Sequence, residues 1–457
     1  VDIVSVGPAW GDAAVYEFDG LVEENNETDE TEFTAQFNIR NDFNVGDNFA
    51  YTKFGVKYAS KEKTTDLHVF EASDNPDSIA NLSLVQDSTL GRNAHNQGPR
   101  ADQQRIRDLY FSNKQAFIEE GGELFHPEDS NTGDYESTED VLAAYGMGAI
   151  SFGNATLTGG LRVERTEFET TGKNVILDED GDFVSADPIS EDKSYTDFFP
   201  HLSLQYNFNE DTIGRVAITK TIARPRFKQT ALRRFVNRED EEIEAGNPQL
   251  DPFESWNFDA SIEFYSPNLG VFSAAVFYKS IDNYVFDLAT ELEDADTGYD
   301  LITFLNGESA QIYGLEFNFR RELGAGFGVS ANLTLSDSDA KTDLRPSDTL
   351  TFLKHSDTIG SLALYYENGG LNFRVAGSYR SGYIDEFGEE TSEDRYVDDH
   401  FQIDLTASYD INEQWSVFAE VINLNDEPFR AYYDESFGLS QFEEYSWTAS
   451  FGIKFNL

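Results

Sequence analysis

The chain has 457 residues, with Lys+Arg 33 against Asp+Glu 85, a formal net charge of -52, no cysteine, and 14% aromatic residues. Binding a phosphate backbone rests on Lys and Arg, so this balance argues against nucleic acid as a partner, and the missing cysteine excludes disulfides, thiolate sites and iron–sulfur clusters. With a mean hydropathy of -0.49 and no run of about 18 apolar residues, no transmembrane helix is expected.

From the N-terminus, apolar and polar residues alternate in segments whose two faces meet different environments. The chain opens at Val1 with no initiator Met, basic n-region or apolar h-region, as expected of a mature product or of a fragment. A first segment spans Ala13–Leu21, and the acidic loop Glu23–Glu30 leads to Thr31–Asn41. A turn at Asn44–Asn48 then gives way to Phe49–Lys61. The stretch Glu62–Asp140 shows little sustained alternation, as functional or disordered loops do. Within it Leu82, Leu84, Val85, Ile106, Leu109, Tyr110 and Phe111 predict some packed structure.

Val141–Phe152 and Ala155–Phe168 form a predicted hairpin over Gly153-Asn154. After the loop Glu169–Ser194, Tyr195–Phe208 pairs with Thr212–Arg224, and a third long loop runs over Pro225–Phe253. Trp256, Phe258, Ala260, Ile262 and Phe264 alternate with Asn257, Asp259, Ser261, Glu263 and Tyr265 before a turn into Gly270–Phe286. Beyond the loop Asp287–Ser309, strands carrying Tyr313 to Phe319 and Val329 to Leu335 turn at Gly324–Gly326. Loop Asp337–His355 precedes Thr358–Tyr366, which Asn368–Gly370 turns into Leu371–Arg380. The acidic loop Asp385–Asp399 leads to Phe401–Tyr409, then Trp415–Leu424, then loop Asn425–Phe442. The last strand, Tyr445–Leu457, sets Tyr445, Trp447, Ala449, Phe451, Ile453, Phe455 and Leu457 on one face.

About sixteen strands of roughly nine to fourteen residues fit tilted crossings of a bilayer about 30 Å thick. Short turns alternate with long loops throughout, which places the turns in the periplasm and the loops outside. The expected fold is all-β, a transmembrane antiparallel β-barrel with long extracellular loops. A soluble sandwich or propeller predicts a wet outer face and short, even connections; here the connections are uneven and the apolar faces carry Phe, Tyr and Trp.

Gly246-Asn247-Pro248-Gln249-Leu250-Asp251-Pro252, followed by Ser255, Asn257 and Asp259, resembles a stretch in the barrels of TonB-dependent outer-membrane receptors. Phe253 stands where that family often has Glu. Arg224-Pro225, Phe277 to Asn283, and Ile422-Asn423-Leu424-Asn425-Asp426 are similar landmarks in the same order. Physically these residues read as scaffold: the prolines fix φ where a strand begins, and the polar residues face a hydrated lumen. The resemblance implies a 22-stranded barrel of which residues 1–457 are the C-terminal part, with a plug and about six strands ahead of Val1. It also implies import energised by the inner-membrane TonB complex, acting through that N-terminal region. Leu457 departs from the family's usual aromatic end.

Candidate chemistry is sparse. His68, His95, His126, His201, His355 and His400 show no metal-ligand spacing, no nucleophile elbow occurs, and no cofactor is implied. Asp178-Glu179-Asp180-Gly181-Asp182 gathers carboxylates but lacks the bidentate Glu of a calcium loop, which reads as a solvated turn. Tyr432, Tyr433, Phe437, Phe442 and Tyr445, interleaved with Asp434, Glu435, Glu443 and Glu444, are the ligand candidates. They suit stacking on a sugar ring or another planar ligand, and equally an aromatic girdle at the lipid interface.

The expected function is capture of a scarce nutrient, a glycan or an iron complex, at the outer loops, followed by active import. A sixteen-stranded general porin with a cation-favouring acidic lumen is the second reading. An adhesin or outer-membrane enzyme is a third, the enzyme being disfavoured by the missing catalytic constellation.

Overall fold

The computed structural model describes residues 20–72, 85–86, 100–101, 103–120, 124–294, 297–341, 345, 350–388, 391–433 and 438–456. Of the expected first segment only Gly20 and Leu21 fall among them.

Fifteen long strands follow one another: β1 (Leu21–Val45), β2 (Asn48–Ala72), β3 (Tyr135–Phe152), β4 (Ala155–Leu177), β5 (Phe183–Asn209), β6 (Thr212–Ala223), β7 (Phe253–Ser266), β8 (Gly270–Asp282), β9 (Ser309–Gly324), β10 (Phe327–Lys341), β11 (Thr358–Asn368), β12 (Leu371–Arg380), β13 (His400–Asp410), β14 (Trp415–Ile422) and β15 (Thr448–Phe455). Each pairs antiparallel with its chain neighbours, giving one up-and-down wall. Among the described residues β1 pairs only with β2, and β15 only with β14.

Every short connection lies at one end of the wall, from Gly46-Asp47 to the four residues Ile411–Gln414. In the pair Gly369-Gly370 both residues are left-handed, with φ of 60° and 82°. A type I′ hairpin, one of the two kinds whose twist matches the strands, needs both residues in that left-handed region.

The two faces of the wall differ as alternation predicts. In β7, Trp256, Phe258 and Ile262 stand exposed on one face, while Ser255, Asn257, Asp259, Ser261 and Glu263 line the other. Register carries the pattern sideways, with Phe258 opposite Ile218 and Tyr278, and Val276 opposite Leu315. An apolar surface this continuous is stable only against hydrocarbon or protein.

At the loop end several strands outrun a bilayer. β1 and β2 have 25 residues each and β5 has 27, against about 9–11 for a crossing. The expected loop Glu169–Ser194 is therefore a continuation of β4 and β5, laddered from Phe168 opposite Lys193 to Leu177 opposite Phe183. The expected loop Glu23–Glu30 is likewise strand, paired along β1 and β2. Alternation reports a difference between two environments. Beyond the bilayer that difference is lost, because β1 there is exposed and β4 packs against loops through Thr170, Val175 and Leu177, although the backbone pairing persists.

Other boundaries moved for local reasons. The last strand begins at Thr448, because Ser446 takes a φ of 57° and breaks the extended run from Tyr445. The strand expected over Gly270–Phe286 stops at Asp282, before Asn283 at φ 59°. Within Glu62–Asp140, helix α1 (Gln103–Glu119) carries four of the predicted packing residues, and Tyr110 and Phe117 bury against Ala72. Leu82 and Leu84 lie outside the described residues. A second, short helix, α2 (Pro127–Thr132), leads into β3.

Candidate functional site

The loops build their own core above the wall. Tyr284, Ala310, Ala340, Leu350 and Phe387 are buried together, with Phe253, Ile281, Leu305, Phe352 and Ile384 packed around them. The cluster draws on the loops after β8, β10 and β12, so burial of apolar surface ties three connections together. Phe253, at the position where a Glu was the common alternative, packs against this core. Beside it Arg345 and Asp394 form a buried ion pair at 2.7 Å, with 7% and 1% side-chain exposure. The same carboxylate oxygen accepts from the Gly388 amide, and Arg345 also donates to Thr391 Oγ1.

Next to the core stands a separate four-stranded sheet made of Tyr383–Glu386, Arg395–Val397, Phe429–Tyr433 and Gly438–Glu443. It joins the loop after β12 to the loop after β14. Arg395 crosses three of its strands, pairing with Asp385 and donating to Ser440 and Gln441.

Three of the sequence candidates, Tyr432, Tyr433 and Phe442, and their neighbours sort by the faces of this sheet. Tyr432 stacks on Tyr396 with centroids 5.7 Å apart and planes at 13°. Phe442 lies opposite Arg430, whose guanidinium sits 5.6 Å from the ring centre. Tyr432, Tyr396, Arg430 and Phe442 thus share a face. Tyr433 lies opposite Arg395, on the other face. Asp434 and Phe437 lie outside the described residues. Tyr445 donates its hydroxyl to Glu443 in the connection leading to β15. Tyr396 and Arg430 were missed in the sequence; Tyr396 sits in an acidic loop, and the short alternation Arg395-Tyr396-Val397 was its only signal.

The Gly246–Pro252 stretch is a brace. A Cβ on Gly246 would stand 2.0 Å from the Ala231 carbonyl oxygen, so only glycine fits there. Asn247 donates to the Phe304 carbonyl, and Asn306 both accepts from the Asp251 amide and donates to the Asp251 carbonyl. Lys193 of β5 bonds Gln249 O and Asp251 Oδ1, each at 2.7 Å. One stretch thus fixes the loop after β6 to the loop after β8 and to the top of β5. Below it, Asn257 is 7% exposed, donates to Thr221 and accepts from Lys279 and Ser255.

Arg224, at the end of β6, reaches β4: its guanidinium lies 2.6 Å from Glu164 and donates to Thr166, with Glu139 of β3 at 3.8 Å. The Arg-Pro landmark is therefore an ion-pair anchor that starts the loop. Asp178 Oδ1 accepts the Asp180 and Asp182 amides at 3.0 Å each, closing the β4–β5 turn. Among the described residues no group of three or more His, Asp or Glu is arranged to hold a metal ion.

Lower on the inner wall, Arg320, Tyr365, Asn372, Arg374, Thr406 and Glu420 line a polar recess of about 540 Å³. Arg320 lies 5.6 Å from the Tyr365 ring centre. Such a surface suits water, a polar solute or a polar protein segment inside the lumen.

A wall apolar outside and polar within, tight turns at one end and built loops at the other define a transmembrane β-barrel of the outer-membrane kind. The family model described as TonB dependent receptor-like, beta-barrel matches residues 5–424, and the chain belongs to that family. Membership places it in the outer membrane of a Gram-negative cell, turns toward the periplasm. Similar solved structures include the ferric-catecholate import receptor Fiu of Escherichia coli, at 14% identity and a TM-score of 0.62, covering 94% of this chain and 55% of that one. The siderophore receptor PiuA of Acinetobacter baumannii matches at 15% and 0.61, covering 94% and 56%. The ferric yersiniabactin uptake receptor FyuA of Yersinia pestis matches at 12% and 0.58, covering 95% and 55%. The chain thus spans about half the length of the structures it matches. No curated protein sequence matches it.

Proposed function

We propose that this chain is the wall and ligand-facing loop region of an outer-membrane receptor that captures a scarce nutrient and imports it with TonB-coupled energy, without catalysing a reaction on it. The family match along almost the whole wall is the observation that carries this reading. The intact receptor is a 22-stranded barrel with an N-terminal plug that meets the energy-transducing complex. Strand direction supports a wall larger than the one described: β1 and β15 both run toward the turn end, so joining them directly would make a parallel pair, which an up-and-down barrel does not contain.

The ligand-facing surface is the sheet face of Tyr396, Tyr432, Arg430 and Phe442. Two stacked phenols beside a guanidinium suit a ligand with a flat apolar face and a polar or anionic rim. A glycan offers such a face, and so does an aryl-bearing iron complex like those the similar structures are named for.

Uptake by cells carrying the full receptor, measured with the proton gradient intact and collapsed, tests the function. Loss of uptake on collapse is expected; uptake indifferent to the gradient would favour the passive porin.

A further inference from the structure

The loop after β6 is folded inward. Phe227 stacks on Phe168 with centroids 6.2 Å apart and planes at 20°, and the Leu232 amide donates to Thr170 Oγ1 at 3.3 Å. Phe168 and Thr170 continue the face of β4 that carries Arg162 and Glu164 on the inner wall, because side chains two apart share a face and the pairing with β5 keeps its register through this stretch. The loop therefore lies on the lumen side of β4, at the barrel mouth. Its two short strands, Arg234–Asn237 and Glu242–Ala245, pair with each other, with residues 174–176 of β4 and with residues 300–302 of the loop after β8.

These loops enclose a cavity of about 240 Å³ whose lining includes Thr132 of α2, Lys228, Arg233, Glu244, Ile302 and Phe304. In a chain with 85 acidic residues against 33 basic ones, basic groups of the loops find carboxylates: Lys173 pairs with Asp134, Lys193 with Asp251 and Arg234 with Asp294. Arg233 and Lys228, which share the cavity, form no ion pair among the described residues. Arg233 Nε is buried without a hydrogen-bond partner. Its two terminal nitrogens make no hydrogen bond to a described residue either, and they are not buried, so the outer edge of the guanidinium is open. The backbone beneath it is fixed on both sides, Arg233 N donating to Ala231 O at 2.8 Å and Gly246 N to Arg233 O at 3.0 Å. A donor set held in place but left without an acceptor is arranged for a ligand.

We propose that this cavity takes an acidic sugar, one hexuronate ring of a larger ligand, with its carboxylate on Arg233 beside Lys228, its hydroxyls donating to Glu244 and its ring against Ile302 and Phe304. Charge selects the class. Two cations and one carboxylate in the lining leave a single positive charge, which matches a monoanion, whereas a phosphate dianion or a tricarboxylate brings surplus negative charge beside Glu244. The two terminal guanidinium nitrogens match the two oxygens of a carboxylate. Ionised Glu244 only accepts hydrogen bonds, and Thr132 gives its hydroxyl hydrogen to the Glu128 carbonyl at 2.7 Å, so both reward a ligand rich in hydroxyls. The volume lies below the roughly 300–1,000 Å³ of pockets for drug-sized molecules, so one ring enters. The inference rests on the receptor reading and deepens it, naming a charged group of the ligand that the Tyr396 and Tyr432 surface does not contact.

The test is calorimetric titration of the full receptor in detergent with p-nitrophenyl β-D-glucuronide and the matching β-D-glucoside, which differ by one carboxylate. Wild type is expected to bind the glucuronide about tenfold more tightly, the scale of one charge-assisted hydrogen bond. Arg233→Gln is expected to bring the two within about twofold, and Arg233→Lys to recover part of the preference, since a point charge lacks the fork. Folding is checked by heat-dependent gel mobility. Lys228→Met, at an exposed position, is expected to reduce the preference and keeps the test decisive if the Arg233 variants misfold. Tyr432→Ala is expected to weaken both probes alike, so loss of the aromatic surface and loss of this cavity read differently. No proton gradient enters the measurement, so a failure of coupled uptake is also told apart from a failure here. Equal affinity of wild type for the two probes, binding of neither, an unchanged preference in Arg233→Gln, or citrate bound more tightly than the glucuronide overturns the proposal.

Discussion

Asp394 holds Arg345, the Gly388 amide and, through Arg345, Thr391, all beside the loop core. Breaking one half of a buried pair leaves the other charge unsolvated, which costs roughly 3–5 kcal/mol. Asp394→Ala is therefore expected to raise hydrogen exchange across residues 381–399 while the strand amides stay protected. Tyr284 belongs to the same core, at 2% exposure, with its hydroxyl donating to Lys341 O at 2.8 Å. Burial, helped by Glu308, pushes its phenol from 10.0 up to about 12. The native state thus keeps a proton that the unfolded chain releases, so this contribution is whole below pH 10 and is lost as pH rises through about 12. Loop protection is expected to fall across that window in wild type and to stay flat in Tyr284→Phe. At the candidate surface, Tyr432→Ala is expected to weaken ligand binding about tenfold, or about 1.4 kcal/mol, whereas Tyr433→Ala, on the opposite face, leaves it within twofold by equilibrium titration; equal losses would remove the assignment of the two faces. The aromatic cluster proposed as the ligand surface was picked out by residue type, but which members share a face was not legible, because a bulge between Ala431 and Tyr432 shifts the register.

Strands and turns were the most legible level. Inside the membrane each strand separates hydrocarbon from water, so alternation marks it directly, and Gly-rich or Asn-bearing pairs mark where it reverses. Outside, the extension of β4 is covered by loop rather than lipid, with Thr170, Val175 and Leu177 buried, and no sustained apolar–polar period in Glu169–Ser194 reveals the strands. The short sheet above the wall escaped for another reason: its strands are three to six residues long and find their partners across two different loops. Turn chemistry gives a prediction at this scale. Gly370, at φ 82°, has the Asp410 carbonyl 3.0 Å from a would-be Cβ, so Gly370→Val meets both a backbone and a contact penalty. Unfolding in urea is expected at a lower midpoint, by about 1–3 kcal/mol, with the loop surfaces unchanged.

At the scale of the molecule, the net charge of -52 is unevenly placed. The inner wall sets Arg215 against Glu263 and Arg162 against Glu164, while acidic runs such as Glu239–Glu242 sit in the loops. Repulsion among exposed carboxylates is screened within about 10 Å at 0.1 M salt. Loop protection is accordingly expected to increase between about 0.01 and 0.3 M NaCl, with little change in the membrane strands, as hydrogen exchange would show. The family resemblance was legible in the Gly246–Pro252 stretch because that brace needs a glycine without Cβ, an Asn amide and two prolines at fixed spacing. The ligand was not, since the proposed surface gathers side chains from loops far apart in the chain.

The wall's connectivity also bears on how it is made. Each long strand pairs with the next strand in sequence, and half of the connections are turns of two to four residues, so hairpins close with little loss of chain entropy. The slow, long-range steps are confined to the loop core and the small sheet, whose partners meet only after the strands beneath them are in register. Assembly thus divides in time as the structure divides in space: the membrane wall grows by adjacent addition, and the receptor surface condenses last, on a foundation already in place.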